Sequence, residues 1–246
     1  MLRLVIPKGS LEAQTLRLFE EADLRVRRGS DRDYHGTIDD DRIERVSILR
    51  PQEIPLYVQD GLFDLGITGQ DWIAETGADL VELTRRFFAD LGIDVKVSWS
   101  FGATEAKVPE IVDAIVDVTE TGSTLRAHGM KIVETLLTSD AVLVANREAA
   151  ADPVKRAAMD DVVTLLRGAI EAEGRVLIKL NVAEELLQAV LAVVPSMKAP
   201  TVSSLAEGGY AIETVVDKRG VNRLIPELKS AGATDILELP ISKIVP

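Results

Sequence analysis

The chain begins with an apolar run, Leu2 to Ile6, then Pro7-Lys8-Gly9-Ser10, then residues 11–22, where Leu11, Thr15, Leu18, Phe19 and Ala22 recur on one face. A short apolar run bounded by turn residues predicts a buried strand, and the 3.6-residue recurrence predicts an amphipathic helix. Ser10 is placed to cap that helix, and Glu12 suits the positive end of its dipole. Val46 to Leu49, ending at Arg50-Pro51, and Phe63 to Ile67, ending at Thr68-Gly69-Gln70-Asp71, predict two more strands with a helix after each. Alternating strands and helices predict a mostly parallel sheet, whose loops at the carboxyl ends of the strands gather ligand-binding groups.

Beyond Leu83 a helical pattern, Thr84 to Leu91, stops at Gly92, and strands are expected at Ile93 to Val97 and at Asp113 to Val118. Residues 131–146 hold two further apolar runs, broken near Ser139-Asp140, and Asp152-Pro153 opens a long amphipathic helix reaching about Ala172. After Gly174 the order becomes βαββαβ: strand Arg175 to Asn181, helix Glu184 to Val193, strands Thr201 to Leu205 and Ala211 to Val216, helix Val221 to Ser230, strand Asp235 to Leu239. This split βαβ order predicts a separate ferredoxin-like domain. Residues 27–45 are the most polar stretch and read as a loop or hairpin.

Composition narrows the functional classes. With 28 Lys and Arg against 40 Asp and Glu, the net charge of −12 disfavours nucleic acid and anionic membrane as partners. Cysteine is absent, which excludes a disulfide framework, thiolate metal sites and cysteine nucleophiles, and fits a reducing compartment. No run approaches the ~18 apolar residues of a membrane span, and Met1 to Ile6 is too short for a secretory signal, so a cytoplasmic protein is expected.

The strongest local signal is the acidic strand Asp113-Ala114-Ile115-Val116-Asp117 leading into Thr121-Gly122-Ser123-Thr124-Leu125 at a helix start. A glycine lets successive amides converge, hydroxyls add donors and the helix dipole favours an anion, so the segment reads as a phosphate cradle or as a capped helix start. Asp117 and Glu120 are suited to ribose hydroxyls while Thr121, Gly122, Ser123 and Thr124 hold a 5-phosphate. Lys8 with Gly9, and Arg50, stand at strand ends where cations can meet polyphosphate. Gly69 and Asp71, at the end of the third strand, are placed for ligand contact, whereas Asp64 and Arg85-Arg86 read as structural or surface residues. His35 and His128 lack the paired spacing of a metal site, and no Ser/His/Asp arrangement points to acyl transfer.

Leu4-Val5-Ile6-Pro7-Lys8-Gly9-Ser10-Leu11, Leu49-Arg50-Pro51, Asp64 to Asp71 and Asp113 to Leu125 together resemble the markers, in order, of the ATP phosphoribosyltransferase family in its long form. The resemblance implies a two-lobed catalytic core like a periplasmic-binding-protein fold, plus a C-terminal ferredoxin-like βαββαβ regulatory domain. Residues 1–83 and 139–174 would form the first lobe, 84–138 the second and 175–246 the regulatory domain. It implies transfer of the phosphoribosyl group of phosphoribosyl pyrophosphate to N1 of ATP, with Mg²⁺ and release of pyrophosphate. Asp117, Glu120, Thr121, Gly122, Ser123 and Thr124 would bind the phosphoribosyl substrate. Lys8, Gly9, Arg50, Gly69 and Asp71 would face ATP or pyrophosphate, with Lys8 and Arg50 catalytic. Histidine would inhibit through Asn181 and Thr201, in a hexamer built from dimers.

Two departures from that family stand out. Between Leu83 and Thr84 the family carries a further stretch, about a strand, a turn and a short helix, that is absent here, which implies either a shortened second lobe or residues omitted from the sequence. Glu110-Ile111-Val112 replaces a small Gly- and Ala-containing segment ahead of the phosphate loop. A reading from another class is a cytoplasmic anion- or solute-binding sensor in which the same lobes bind without turnover.

Overall fold

The structure is a computed structural model that describes the chain except Asp31, Asp71, residues 73–79, Trp99, Phe101, Val118, Glu120, Thr121, Leu137, Ser196 and Lys198. In chain order its first part contains β1 (Leu2–Pro7), α1 (Glu12–Glu21), β2 (His35–Gly36), β3 (Ile43–Leu49), α2 (Ile54–Gln59), β4 (Leu65–Gly69), α3 (Leu80–Asp90), α4 (Ser123–Ala127), β5 (Ala141–Ala145), α5 (Arg147–Ala151) and α6 (Pro153–Ala172). The second part contains β6 (Arg175–Val182), α7 (Leu187–Leu191), β7 (Thr201–Ser204), β8 (Tyr210–Asp217), α8 (Val221–Ser230) and β9 (Thr234–Pro240).

The first sheet has the order β2-β3-β1-β4-β5. β1 pairs in parallel with β3 and β4, whereas β2 with β3 and β4 with β5 are antiparallel, so the sheet is mixed where the alternation predicted a mostly parallel one. The two edge strands explain the difference. The polar stretch 27–45 doubles back through an Arg27–Thr37 bridge to supply β2, and β5 enters from the far side after the excursion through residues 70–140.

β1 lies at the centre and is covered on both faces, which is why its pattern is a continuous apolar run rather than an alternation. Leu2, Leu4 and Ile6 pack with Phe19 of α1, Val46 and Ile48 of β3, and Met159, Val162 and Leu166 of α6. On the opposite face Val5 packs with Ile54, Val58 and Phe63. Gly66 is required there: a Cβ would stand 2.8 Å from Ile54 Cγ2 and 2.9 Å from Val5 Cγ1, so only glycine lets α2 lie this close to β4.

α1 departs from the sequence expectation at its start. Leu11, not Ser10, is the N-cap, with no side-chain bond, and Ser10 is exposed in the turn after Gly9. α6 starts as expected. Pro153 occupies its first turn, and Asp152 Oδ1 accepts from the amides of Val154 at 2.8 Å and Lys155 at 3.0 Å.

At the amino end of the sheet Asp64 is 1% exposed and accepts from the Arg3 amide at 2.8 Å, Arg3 Nε at 3.1 Å and Lys155 Nζ at 2.9 Å. Burial works against its ionisation, but the bonds from Arg3 and Lys155 outweigh this and hold the carboxyl well below the usual carboxylate range. Asp64 is therefore structural, as its sequence position predicts, and it ties β1, β4 and α6 together.

The middle of the chain differs most from expectation. α3 runs unbroken through Leu83-Thr84, and Gly92 ends it at φ +69°. Among the described residues, neither Ile93 to Val97 nor Asp113 to Asp117 forms a strand, and 131–136 is irregular. An apolar run becomes a strand only when a neighbour takes its amides and carbonyls, and no described strand between residues 91 and 140 is present to do so.

The C-terminal sheet has the order β7-β8-β6-β9, all antiparallel, with β6 paired to β8 along its full length. Val176, Ile178, Leu180 and Val182 alternate inward and pack with Ile212, Val190, Leu224 and Leu228. This is the ferredoxin-like βαββαβ arrangement expected from the sequence; the helix expected over Glu184 to Val193 is a 3-10 turn, Glu184–Leu186, followed by α7.

Replacing Asp64 by Asn should cost about 2–3 kcal/mol in urea unfolding at neutral pH, because Arg3 and Lys155 lose their shared acceptor but keep some solvent. Since the folded-state pKa is depressed, this contribution is complete above the unfolded value of about 3.9 and is lost as pH falls further. The parent should thus lose stability more steeply than Asp64→Asn between about pH 4 and pH 2.

Candidate functional site

The parallel pairing of β3, β1 and β4 places their carboxyl ends along one edge. Pro7 is in register with Leu49, and the Lys8 amide donates to the Leu49 carbonyl at 2.7 Å, so Lys8 and Arg50 leave adjacent strands side by side. β4 ends on the same edge at Gly69, because Leu4 and Val5 pair with Leu65 and Gly66. Thr68, fully buried, donates through Oγ1 to the Pro51 carbonyl at 2.8 Å and ties the end of β4 to the Arg50-Pro51 turn. Gln70 donates its amide to the Asp140 carbonyl at 2.8 Å, which joins the outgoing and returning chain at this edge.

Lys8, Gly9, Arg50 and Gly69 are thereby brought together as expected. Gly9 has open space where a Cβ would stand, so what requires glycine is its positive φ, not crowding. Lys8 Nζ lies 4.0 Å from the centroid of the Tyr34 ring. The Gly9 amide points to Glu12 Oε2 at 3.4 Å, and Glu12 Oε1 accepts from Arg28 at 2.6 Å, with both side chains mostly buried.

Tyr34 and Arg28 thus join the Lys8-Gly9 turn, which no local pattern predicts. Both lie in the polar stretch 27–45, and only the pairing of β2 with β3, with the Ile48 amide donating to the Tyr34 carbonyl at 2.9 Å, carries that stretch to this edge.

In the expected phosphate loop, Gly122 is the N-cap of α4 with φ +65°, a left-handed conformation suited to glycine, and the Arg126 amide donates to its carbonyl at 3.0 Å. Gly122 is buried, and Ser123, Thr124 and Asp117 are exposed. A Cβ on Gly122 would lie 3.4 Å from an Arg126 guanidinium nitrogen, so Arg126 is a cation at the loop that the sequence reading passed over. His128, exposed at the end of α4, has its Nδ1 2.9 Å from the Thr124 carbonyl. Asp71, Glu120 and Thr121 lie outside the described residues.

Asn181 and Thr201 are not neighbours. Asn181 on β6 pairs with Ala211 and Thr201 on β7 pairs with Glu213, so β8 runs between them. Asn181 Nδ2 donates to Asp235 Oδ2 at 3.1 Å. Among the described residues, no group of three or more His, Cys, Asp or Glu is positioned to hold a metal ion.

A family profile described as "ATP phosphoribosyltransferase" matches residues 50–84 and 77–168, and one described as "HisG, C-terminal domain" matches 172–243. The chain is 41% identical to the ATP phosphoribosyltransferase of Desulforudis audaxviator over 291 aligned positions, covering 100% of this chain and 99% of that one. It is 40% identical to that of Chlorobium phaeovibrioides over 289 positions, covering 100% and 98%. Among solved structures, the ATP phosphoribosyl transferase (HisG:HisZ) complex from Thermotoga maritima aligns with a TM-score of 0.53 at 22% identity, over 68% of this chain and 96% of that chain, a likeness of fold. A 291-position alignment against a chain of 246 leaves 45 positions with no residue in this chain. The profile match restarts between residues 77 and 84, next to the Leu83-Thr84 junction.

Glu12→Ala and Arg28→Ala should each cost about 1–2 kcal/mol in chemical denaturation, because each removes the charge-assisted bond between two mostly buried side chains. The double variant should lose little more than either single one, giving a coupling energy of about 1 kcal/mol in a double-mutant cycle.

Proposed function

Because the chain belongs to the ATP phosphoribosyltransferase family of glycosyltransferase-type enzymes of histidine biosynthesis, we propose that it transfers the phosphoribosyl group of phosphoribosyl pyrophosphate to N1 of ATP. The observation that carries this reading is the shared edge: Lys8 and Arg50 emerge from adjacent parallel strands beside the Gly9 turn, with the end of β4 tied to them through Thr68. Two cations and a backbone turn suit phosphate oxygens.

In the reaction the N1 lone pair of adenine forms a bond to C1 of the ribose, the C1–O bond breaks, and its electron pair leaves with pyrophosphate. Lys8 and Arg50 stabilise the charge growing on the departing pyrophosphate, and Gly9 allows the backbone to approach it. Gly69 and Asp71 border the same ligand. Asp117 and Glu120 accept from the ribose hydroxyls while Thr121, Gly122, Ser123 and Thr124 hold the 5-phosphate. Positioning and charge stabilisation do the work, with no covalent enzyme intermediate. Mg²⁺ carried by the polyphosphate substrate would supply neutralisation of the leaving group's charge, while Lys8 and Arg50 hold its phosphate oxygens. The edge's own side chains, Lys8 and Arg50, are cationic and suited to phosphate, so the metal's ligands come from the substrate.

Residues 1–83 and 139–174 would form the first lobe, 84–138 the second, and 175–246 a regulatory domain that binds histidine through Asn181 and Thr201 within a hexamer built from dimers. Among the described residues no helix is long and apolar enough to cross a membrane, and we place the protein in the cytoplasm. A second reading is anion binding without turnover, which the break in the family match beside Leu83-Thr84, ahead of residues 84–138, favours.

Incubation with ATP, phosphoribosyl pyrophosphate and Mg²⁺ should release pyrophosphate; binding of both substrates with no release would establish the second reading. Lys8→Met and Arg50→Met should each lower kcat/KM by about 10²-fold or more, the loss of one charge-assisted contact to the leaving group. Gly122→Val, forced into a left-handed backbone, should raise KM for phosphoribosyl pyrophosphate far more than KM for ATP. Asn181→Ala and Thr201→Ala should leave the uninhibited rate unchanged and weaken inhibition by histidine, read from inhibition curves.

A further inference from the structure

The segment after β9 returns to the first part of the molecule. The Ile244 amide donates to the carbonyl of Gly168, in α6, at 2.9 Å, and Lys243 makes an ion pair with Asp23, 220 positions earlier in the chain. Gly168 is buried, and a Cβ there would stand 3.1 Å from Val245 Cγ2 and 3.3 Å from Lys243 Cβ. Glycine in a helix interior is unfavourable relative to alanine, so its presence in a 20-residue helix calls for a packing reason, and the returning segment supplies one. Asp23 itself follows α1 at φ +60°, in the turn that leads to Leu24.

α6 is also the element that runs directly into the C-terminal domain, through Glu173 and Gly174, the latter at φ +72°. Besides the covalent link at Gly174, with the Arg175–Glu171 ion pair beside it, the two domains meet at the Gly168 seat. A body held only at Gly174 can rotate about that link, whereas a second attachment on the same helix removes this freedom.

We propose that residues 241–246 are a strap that clamps the C-terminal domain to the first domain through the Gly168 seat and the Lys243–Asp23 pair. Its release frees the domain to turn about Gly174. The strap is the physical route by which an event in the C-terminal domain reaches α6, which packs against β1, the strand that leads to Lys8.

Because the chain holds no cysteine, a dye pair can be placed cleanly at Gln14→Cys on α1 and Asn222→Cys on α8, both exposed positions, and read by single-molecule energy transfer. The parent should give one narrow distance distribution. Gly168→Gln, which fills the seat while favouring the helix, should broaden it at least about twofold and speed tryptic cleavage at Arg175 about fivefold. Lys243→Glu should broaden it too, and adding Asp23→Lys should restore the narrow distribution. Unchanged distributions in Gly168→Gln and in Lys243→Glu would overturn the proposal, as would a Lys243→Glu effect that Asp23→Lys does not reverse.

Discussion

Everything that positions the candidate site follows from the central place of β1. A strand paired in parallel on both sides and covered on both faces can hold only one register without turning its apolar set away from the core. That register sets Pro7 against Leu49, and so Lys8 against Arg50. At the other end of the same strand, Arg3 is fixed by Asp64, whose buried carboxylate also receives Lys155 from α6. The edge that faces ligand and the edge that is locked by charge are the two ends of one six-residue element.

A division of labour among the charges follows. The buried carboxylate of Asp64 is paired within the fold by Arg3 and Lys155. Lys8, by contrast, rests on the face of Tyr34, a contact worth about 0.5–1 kcal/mol at an exposed site, which holds the ammonium without consuming its hydrogen-bond capacity. Glu12 occupies Arg28 beside the Gly9 amide, so one of the cations near this turn is already neutralised. With a net charge of −12, local arrangement and not overall charge makes this edge suitable for an anion, because screening at physiological salt limits distant carboxylates to about 8 Å.

The two sheets contrast with the segment between them. Both sheets close their hydrogen bonding within residues that are near each other in the sheet order, and both bury a continuous core. Residues 91–140 contain apolar runs of comparable quality, yet no strand is formed among the described ones. The family match breaks beside Leu83-Thr84, just ahead of this segment, and a strand without a neighbour leaves its amides and carbonyls unpaired. Gly122 still takes its left-handed φ, because that conformation is a local property of the glycine and the turn of α4 that follows.

Local chemistry in the sequence sufficed for the buried strands β1, β3 and β4, for the cap at Asp152-Pro153, for the βαββαβ order, and for Lys8, Gly9, Arg50 and Gly69 as a group at strand ends. Each of these depends on neighbours a few residues away or on a period that a single segment displays. The tertiary structure alone decided that Tyr34 and Arg28 reach the Lys8 turn, that β2 and β5 make the sheet mixed, that Asn181 and Thr201 are separated by β8, and that residues 243–245 settle on Gly168. Those contacts join positions tens to hundreds of residues apart, and what selects them is burial and hydrogen-bond pairing across the whole molecule, which no local pattern records.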